Sequence, residues 1–429
     1  MTFLDKAFFC NNRIKLYNLI DQNSLIILCS ADQYPRNGNQ FFKYRQNSDI
    51  YYFSGLQQED TILILHKNEK KQTVEEYAFI IKSDEKMLTW TGHKYTTAEV
   101  TEISGIQNVE YLENFDSIFG SIIKSVQNVY FSFSGNIRVE NQKNSTIEKL
   151  AELIKEKFPL KNIQNLDSYS HFLRLTKEPQ EIETIKKACA ITGNSFASIL
   201  KFVKPNIYEY QVEAEITRNF LSAGSQGFAY LPIVASGQNS CVLHYITNRE
   251  MCKTGDLLLL DFGAELDNYA SDVSRTIPIS GKYTKRQKEV YNSVLNVMKQ
   301  IKQKFVVGNN IVNLNKECAK LIEEELLNLG LLKKEDISAQ SLENPAYKKY
   351  FMHGVSHYMG LDIHDVGDRK ANLMPGMILS CEPGIYIPEE GFGIRLENDI
   401  LITETTPIDI CEHIPIEIEE IEYAMNNKN

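Results

Sequence analysis

The first third of the chain alternates short apolar runs with polar segments that are compatible with helices. The runs lie at residues 25–28, 61–65, 77–81 and 129–133. Each is short and continuous, as is typical of strands buried inside an α/β domain. A length of 429 residues exceeds what one hydrophobic core usually organises, and the pattern changes around residues 169–174. We therefore predict an N-terminal α/β domain over 1–173 and a second domain over 174–429.

The second domain begins with two amphipathic segments, at 181–203 and 208–223, which predict helices. A third helix is predicted to begin at the capping box TKRQ of residues 284–287, where the Thr and Gln side chains can each satisfy a backbone N–H group of the other residue. The apolar stripes of this helix and of a fourth one are Val290, Val294, Val297, Ile301 and Phe305, and Ile311, Leu314, Cys318, Leu321 and Leu329. Helices that punctuate a set of strands predict an α+β domain.

The strands of the second domain are predicted as two pairs. Residues 256–263 pair with 268–275, and residues 377–387 pair with 393–402. Each pair follows two helices, so the order of elements suggests an internal structural duplication.

Composition narrows the classes of function. The hydrophobic fraction of 43% and the charged fraction of 24% are typical of a folded globular protein. A net charge of -10 argues against a nucleic-acid surface, which needs clustered Lys and Arg. No stretch approaches the roughly 18 apolar residues that span a bilayer, and residues 1–7 lack the basic and apolar regions of a signal peptide. We expect a cytoplasmic protein without nucleic-acid or membrane partners.

The eight cysteines are scattered without a C-x-x-C pair, as is typical of reduced core thiols. Cys381 directly precedes Glu382, but no neighbouring motif offers it a base that would make it a nucleophile.

Four acidic residues stand out because they fall inside apolar strands. The first predicted pair carries Asp261 and Asp272, one in each arm, and the second carries Glu382 and Glu397. Each residue alone could be a paired surface carboxylate. Four buried carboxylates together would each cost several kcal/mol without cations. Two divalent metal ions would balance their charge of -4, so the sequence predicts a dinuclear metal site.

A histidine completes the predicted ligand set. His353 and His357 are four residues apart, so both can face one cavity, and we assign His357 as the fifth ligand. Alone, either could be a hydrogen-bonded core histidine. Oxygen ligands with one imidazole and no thiolate favour manganese, magnesium or cobalt. We expect two Mn²⁺ ions, with Co²⁺ or Zn²⁺ as possible replacements.

Six ordered motifs of the second domain resemble those of the creatinase/aminopeptidase family of metallopeptidases, whose catalytic domain has the pita-bread fold. The motifs are VLHY at 242–245, LDFG at 260–263, SDVSRT at 271–276, HGVSH at 353–357, EPG at 382–384 and GIRLE at 393–397. Upstream, YRQNSD at 44–49 and YFSG at 52–55 are similar to the N-terminal domain of bacterial aminopeptidase P, which methionine aminopeptidases lack. The resemblance implies cleavage of the Xaa-Pro bond at the N-terminus of peptides with proline second.

The resemblance also divides the ligands between the ions. It implies that Asp272 and Glu397 bridge both metals, that Asp261 binds one of them, and that His357 and Glu382 bind the other. It places His353, Tyr386 and Arg395 around the proline ring, although Arg395 could instead orient Glu397.

The Xaa-Pro bond is a tertiary amide without an N–H group, so the enzyme must act on its carbonyl. We predict that a water or hydroxide bridging the two ions is the nucleophile and that Glu382 is the general base, which later relays a proton to the proline nitrogen. Neutral His364 or His244 could donate to the developing oxyanion.

The single tryptophan, Trp90, lies in TWTGH at 89–93. This segment resembles a family loop that reaches the active site of a neighbouring subunit, which would imply a homodimer or homotetramer. Trp90 could equally anchor its own domain.

The sequence leaves three other functional hypotheses open. Prolidase, an Xaa-Pro dipeptidase, shares every metal ligand and differs in accepting only dipeptides. A catalytically inactive binding module of the same fold would have lost ligands, and all five are present here. A creatinase-type amidinohydrolase would act without a metal.

Overall fold

The computed structural model describes residues 4–68, 73–133, 145–341 and 343–427. The chain divides into two compact units, Met1–Arg174 and Leu175–Asn429.

The first unit is built around a six-stranded mixed sheet with the order β6-β5-β4-β1-β7-β8. Its elements are α1 (Lys6–Leu19), β1 (Ser24–Cys29), β2 (Pro35–Asn37), β3 (Gln40–Phe41), α2 (Ser48–Ser54), β4 (Ile62–Asn68), β5 (Thr73–Ile80), α3 (Glu85–Thr91), α4 (Thr97–Ser104), β6 (Asn108–Tyr111), α5 (Phe115–Ile122), β7 (Asn128–Phe131), α6 (Thr146–Lys157), β8 (Asn162–Asn165) and α7 (Asp167–Leu175). Strand β1 is central and completely buried, and it pairs antiparallel with β4 and parallel with β7.

The four apolar runs predicted as strands in this unit form β1, β4, β5 and β7. A core of buried apolar residues lies between this sheet and helices α5 and α6, and includes Ile27, Phe79, Phe119, Phe131 and Ile154.

The second unit holds the remaining elements. They are α8 (Pro179–Phe202), α9 (Glu209–Ser222), β9 (Gly227–Phe228), β10 (Ile233–Ser236), β11 (Leu257–Phe262), β12 (Ala264–Leu266), β13 (Tyr269–Ala270), β14 (Val273–Pro278), α10 (Lys285–Lys302), α11 (Ile311–Asn328), α12 (Lys334–Ala339), β15 (Ile378–Cys381), β16 (Gly384–Ile387), β17 (Phe392–Arg395), β18 (Asn398–Leu401), β19 (Ile408–Asp409) and α13 (Ile418–Asn426). The four predicted helices are α8, α9, α10 and α11.

The predicted capping box begins α10 as expected. The Thr284 hydroxyl accepts the Gln287 backbone N–H at 3.3 Å, and the Gln287 side chain accepts the Thr284 N–H at 2.8 Å. The reciprocal bonds satisfy two N–H groups that have no partner inside the helix.

The two predicted strand pairs form, but each is interrupted where an acidic residue lies. Strand β11 pairs with β14 and places Asp261 opposite Ser274, while Asp272 lies in the gap between β13 and β14. In the second pair, β15 pairs with β18 and β16 pairs with β17, so Glu382 and Glu397 fall between consecutive strands. In a regular strand, successive side chains point to opposite faces of the sheet. At these breaks the acidic side chains do not have to follow that alternation.

Within the described residues, no helix has both the length and the apolar character needed to cross a membrane. All eight cysteines lie in the described residues and are free, and six of them are buried.

Candidate active site

The five predicted metal ligands converge in the second unit. Ligating atoms of Asp272, His357 and Glu397 lie within 4.8 Å of one another. His357 Nε2 is 3.3 Å from Asp272 Oδ2 and 3.7 Å from Glu382 Oε1. Asp261 joins the group through hydrogen bonds that it shares with neighbouring side chains. Residues separated by up to 136 positions therefore meet around one point.

The orientation of His357 suits a metal ligand. Its Nδ1 lies 3.1 Å from the carbonyl oxygen of Tyr358. A carbonyl can only accept, so Nδ1 carries the proton and Nε2 is directed toward Asp272 and Glu382. A backbone partner of this kind fixes the tautomer and the ring orientation of metal-binding histidines.

Tyr230 belongs to the site, and the sequence analysis missed it. Its hydroxyl oxygen lies 2.6 Å from Asp261 Oδ1 and 2.6 Å from Asp272 Oδ1. Burial, reinforced by these two carboxylates, raises the pKa of Tyr230 well above its ordinary value. The hydroxyl therefore stays protonated and holds the two carboxylates together. No motif marked Tyr230, because its partners are 31 and 42 residues away in the chain.

Arg395 connects the other side of the cluster. Its Nη2 donates to Asp261 Oδ2 at 2.7 Å, and its Nε donates to the Ser274 hydroxyl at 3.0 Å. Ser274 in turn donates to Glu397 Oε2 at 2.7 Å. Arg395 is 4% exposed, so the guanidinium acts inside the protein and aligns two of the carboxylates.

His353 and Tyr386 extend this network. The Tyr386 hydroxyl lies 2.8 Å from His353 Nε2 and accepts from Arg395 Nη1 at 2.8 Å. Burial, followed by the charge of Arg395, lowers the pKa of His353 to about 4. The imidazole is therefore neutral near pH 7. Tyr386 is fully buried, whereas His353 keeps partial exposure.

The two remaining predicted histidines lie at the accessible edge of the cluster. The His364 ring packs edge-on against the His357 ring, with centroids 4.5 Å apart. His244 is exposed and close enough to His353 to contribute to the lowering of the His353 pKa.

The electrostatics of the cluster fit the binding of divalent cations. Burial raises the pKa of Asp272, and burial together with Asp272, Glu382 and Asp261 raises that of Glu397 well above the ordinary value. Burial likewise raises the pKa of Glu382 to about 7. Burial alone would lower the pKa of His357, but Asp272 and Glu382 outweigh it and raise the value to about 9. Such crowding of buried negative charge is relieved when cations bind.

A buried carboxylate, that of Asp399, contacts the backbone of Asp272. Asp399 Oδ2 accepts the backbone N–H of Asp272 at 3.1 Å and the Cys189 thiol at 3.2 Å. Cys411 approaches the same oxygen at 3.8 Å. These three side chains form a second buried group with ligating atoms within 4.8 Å of one another. Asp399 alone contacts the Asp272 backbone, and the two thiols contact Asp399, so the group supports the carboxylate cluster through Asp399.

Comparison with known proteins identifies the family. The sequence pattern of "Metallopeptidase family M24" matches residues 183–404, which include all five converging side chains, and that of "Aminopeptidase P, N-terminal domain" matches residues 9–130. The chain belongs to metallopeptidase family M24. This assignment confirms the predicted family, a hydrolase of the metallopeptidase class.

Family M24 members of similar architecture match the chain over its length. The Xaa-Pro aminopeptidase of Escherichia coli strain K12 is 31% identical, with 99% of each chain covered. Xaa-Pro aminopeptidase 3 of Homo sapiens is 28% identical over 98% of this chain and 86% of its own.

Solved structures of M24 enzymes confirm the predicted fold class, an α/β N-terminal domain with an α+β pita-bread domain. Zn-substituted aminopeptidase P of Escherichia coli in complex with product has a TM-score of 0.90 and 29% identity, with 99% of each chain covered. Proline aminopeptidase P II of Yersinia pestis has a TM-score of 0.89 and 28% identity, covering 99% of this chain and all of its own.

Proposed function

We propose that this M24 metallopeptidase is an aminopeptidase P that hydrolyses the Xaa-Pro bond at the N-terminus of peptides with proline second. The observation that carries the proposal is the convergence of ligating atoms of Asp272, His357 and Glu397 within 4.8 Å. Glu382 contacts His357, and Asp261 is linked to Asp272 through the Tyr230 hydroxyl. The match to an aminopeptidase P N-terminal domain at residues 9–130 supports proline-directed cleavage.

The five side chains would hold two divalent ions. We propose that Asp272 and Glu397 bridge them, that Asp261 serves one, and that His357 and Glu382 serve the other. The central position of Asp272 supports a bridging role, because its carboxylate contacts both Tyr230 and His357. Hard oxygen donors with one imidazole favour Mn²⁺. When bound, the ions lower the pKa of water toward about 7 and polarise the scissile carbonyl.

Glu382 is the proposed general base. Its side chain is 19% exposed, whereas that of Asp272 is 6% exposed, so Glu382 is the better placed of the two to reach substrate. Glu382 would accept a proton from the attacking water and return one to the proline nitrogen as the C–N bond breaks. The transfer leaves a free proline N–H on the departing peptide and a carboxylic acid on the released residue.

We propose that the three histidines at the site other than His357 contact the substrate or its scissile carbonyl. His364 and His244 are exposed at the edge of the cluster, where a neutral imidazole can donate to the developing oxyanion. His353 is neutral and partly exposed, and we propose that it contacts the proline residue.

Tyr386 and Arg395 would act on the proline site indirectly. Both are buried, and both bond to members of the cluster, so we propose that they hold His353 and Asp261 in place. The direct contact of Tyr386 and Arg395 with the proline ring that the resemblance implies stays a prediction.

We also propose a homodimeric or homotetrameric enzyme of the cytoplasm, with the boundary between its domains near residues 173–174. Eight free thiols support a reducing compartment. Trp90 is 78% exposed on α3, a helix without buried residues, which supports contact with a neighbouring subunit.

The test is release of the first residue from Xaa-Pro-Yaa peptides, with and without added Mn²⁺ and a chelator. We expect cleavage that the chelator abolishes and Mn²⁺ restores. Turnover of Xaa-Pro dipeptides but not of longer peptides would instead indicate a prolidase. Activity on creatine that resists the chelator would contradict the metallopeptidase mechanism.

A further inference from the structure

A buried ion pair lies in the second unit outside the carboxylate cluster. Lys177 Nζ donates to Asp365 Oδ2 at 3.1 Å, and both side chains are 1% exposed. Removing two charges from water costs free energy that their attraction repays only with good geometry. A buried pair of this kind is therefore weak evidence for added stability, and its place in the fold indicates what it does.

The pair closes the loop that carries His364. Asp365 directly follows His364, and its backbone N–H donates to the Tyr358 carbonyl at 2.9 Å. The loop therefore begins beside His357 and returns to the same place. At this point the rings of His357 and His364 meet, with centroids 4.5 Å apart.

Gly360 shows how closely the ion pair and the loop are fitted. A β-carbon added at Gly360 would lie 2.2 Å from Asp365 Oδ2 and 2.8 Å from Lys177 Cε. The Gly360 carbonyl also accepts the backbone N–H of Ala270 at 2.9 Å, two residues before Asp272. The loop is thus tied to the strand segment that leads to Asp272 and to the residue after His364.

Two backbone carbonyls hold Lys177 in place. Its N–H donates to the Gly376 carbonyl at 2.9 Å, and its Nζ approaches the Leu175 carbonyl at 3.4 Å. These contacts fix the position of the ammonium group independently of Asp365. A second carboxylate, Glu181, lies near the pair and accepts from the Tyr269 hydroxyl at 2.8 Å.

We propose that the buried Lys177–Asp365 pair is a positioning device that sets His364 against His357 at the edge of the active site. The inference rests on the proposed role of His364 as a donor to the oxyanion. Neither Lys177 nor Asp365 needs to touch substrate. A buried, charge-assisted contact has one favourable geometry, so the pair holds the loop in one conformation. An exposed ion pair would allow the loop several conformations.

The first test removes both charges together in Lys177→Met/Asp365→Leu, since replacing a buried pair by apolar residues usually preserves folding. We expect kcat to fall about 10- to 100-fold, as for partners that orient active-site groups. KM and the metal content should stay near wild type. Lys299→Met, which removes the exposed partner of Glu417, is the matched control and should keep full activity. Unchanged kcat in the double variant would overturn the proposal.

A double-mutant cycle with His364→Ala separates positioning from a general structural effect. If the pair acts through His364, its replacement should cost little further kcat in the His364→Ala background. Full additivity of the two losses would contradict the proposal, as would a His364→Ala variant with wild-type kcat.

A structural readout does not depend on turnover. A crystal structure of the Lys177→Met/Asp365→Leu variant should show His364 displaced from His357. Retention of the 4.5 Å centroid distance would overturn the positioning role. If the wild-type enzyme failed to cleave Xaa-Pro peptides, the proposed function would fail, and this distance would still decide the role of the pair.

Discussion

The hydroxyl oxygen of Tyr230 lies 2.6 Å from Asp272 Oδ1, and the same hydroxyl is 2.6 Å from Asp261 Oδ1. One phenol thereby links two of the five candidate ligands, while His357 contacts the other oxygen of Asp272. The carboxylates are held in place by protein groups on both sides.

Tyr230→Phe removes the shared hydroxyl but keeps the ring. We expect metal affinity to fall about 10- to 100-fold, because Asp261 and Asp272 lose the partner that orients them. Titration of the metal-free enzyme with Mn²⁺, followed by activity, measures this shift. Tyr423→Phe is the control, since Tyr423 is 71% exposed, and it should behave as wild type. Equal affinity in the two variants would rule out an orienting role for Tyr230.

Glu382→Gln keeps the shape of the proposed base and removes its ability to take a proton. We expect weaker metal binding and a fall in kcat of about 10²- to 10⁴-fold even with the metal saturating. The measurement is steady-state hydrolysis of an Xaa-Pro-Yaa peptide. Glu404→Gln, at an exposed acidic residue, is the control. Normal kcat in Glu382→Gln would remove Glu382 as the base.

Asp272→Asn should lose both metal ions together, because a bridging carboxylate serves both. Metal analysis of the purified variant after dialysis checks this. One strongly retained ion would contradict the bridging assignment. Asp261→Asn provides the comparison, since loss of a ligand to a single ion should leave the other ion bound.

Glu181→Gln should change how stability depends on pH. Burial raises the pKa of Glu181 to about 7, well above its ordinary value. A carboxyl whose folded-state pKa is raised contributes stability below its unfolded pKa and loses that contribution as pH rises through about 7. The variant should therefore be more stable than wild type at pH 8, by up to roughly 3 kcal/mol, and lose this advantage near pH 4. Urea unfolding at both pH values, with metal saturating, measures the difference. A constant difference between the two proteins would contradict the raised pKa.

Trp90→Ala should lower kcat/KM if the exposed indole completes the site of a neighbouring subunit. Thermal stability should barely change, because no residue of α3 is buried. The control is Leu160→Ala, at a leucine that is 87% exposed. Activity and light scattering on the same sample test this. A fully active monomer would exclude a role for Trp90 between subunits.

Local patterns in the sequence were sufficient to predict much of the architecture. Helices α8 to α11 follow apolar stripes with a helical period, and the start of α10 follows from the Thr284–Gln287 capping box. Four of the converging side chains could be named because acidic residues are rare in apolar strands, and His357 because it lies four residues after His353. The interruptions of the strands at Asp272, Glu382 and Glu397 could not be predicted, because a short strand break leaves the apolar pattern nearly unchanged.

The sequence by itself determined the class of site, since charge balance among four buried carboxylates calls for cations wherever they meet. Tertiary structure alone decided which distant side chains pair with one another around the site. Arg395 and Asp261 are 134 residues apart, and Lys177 and Asp365 are 188 residues apart. Periodicity records which face of an element is buried, but it carries no information about which distant side chain lies opposite. Those pairings arise only when the strands and loops pack.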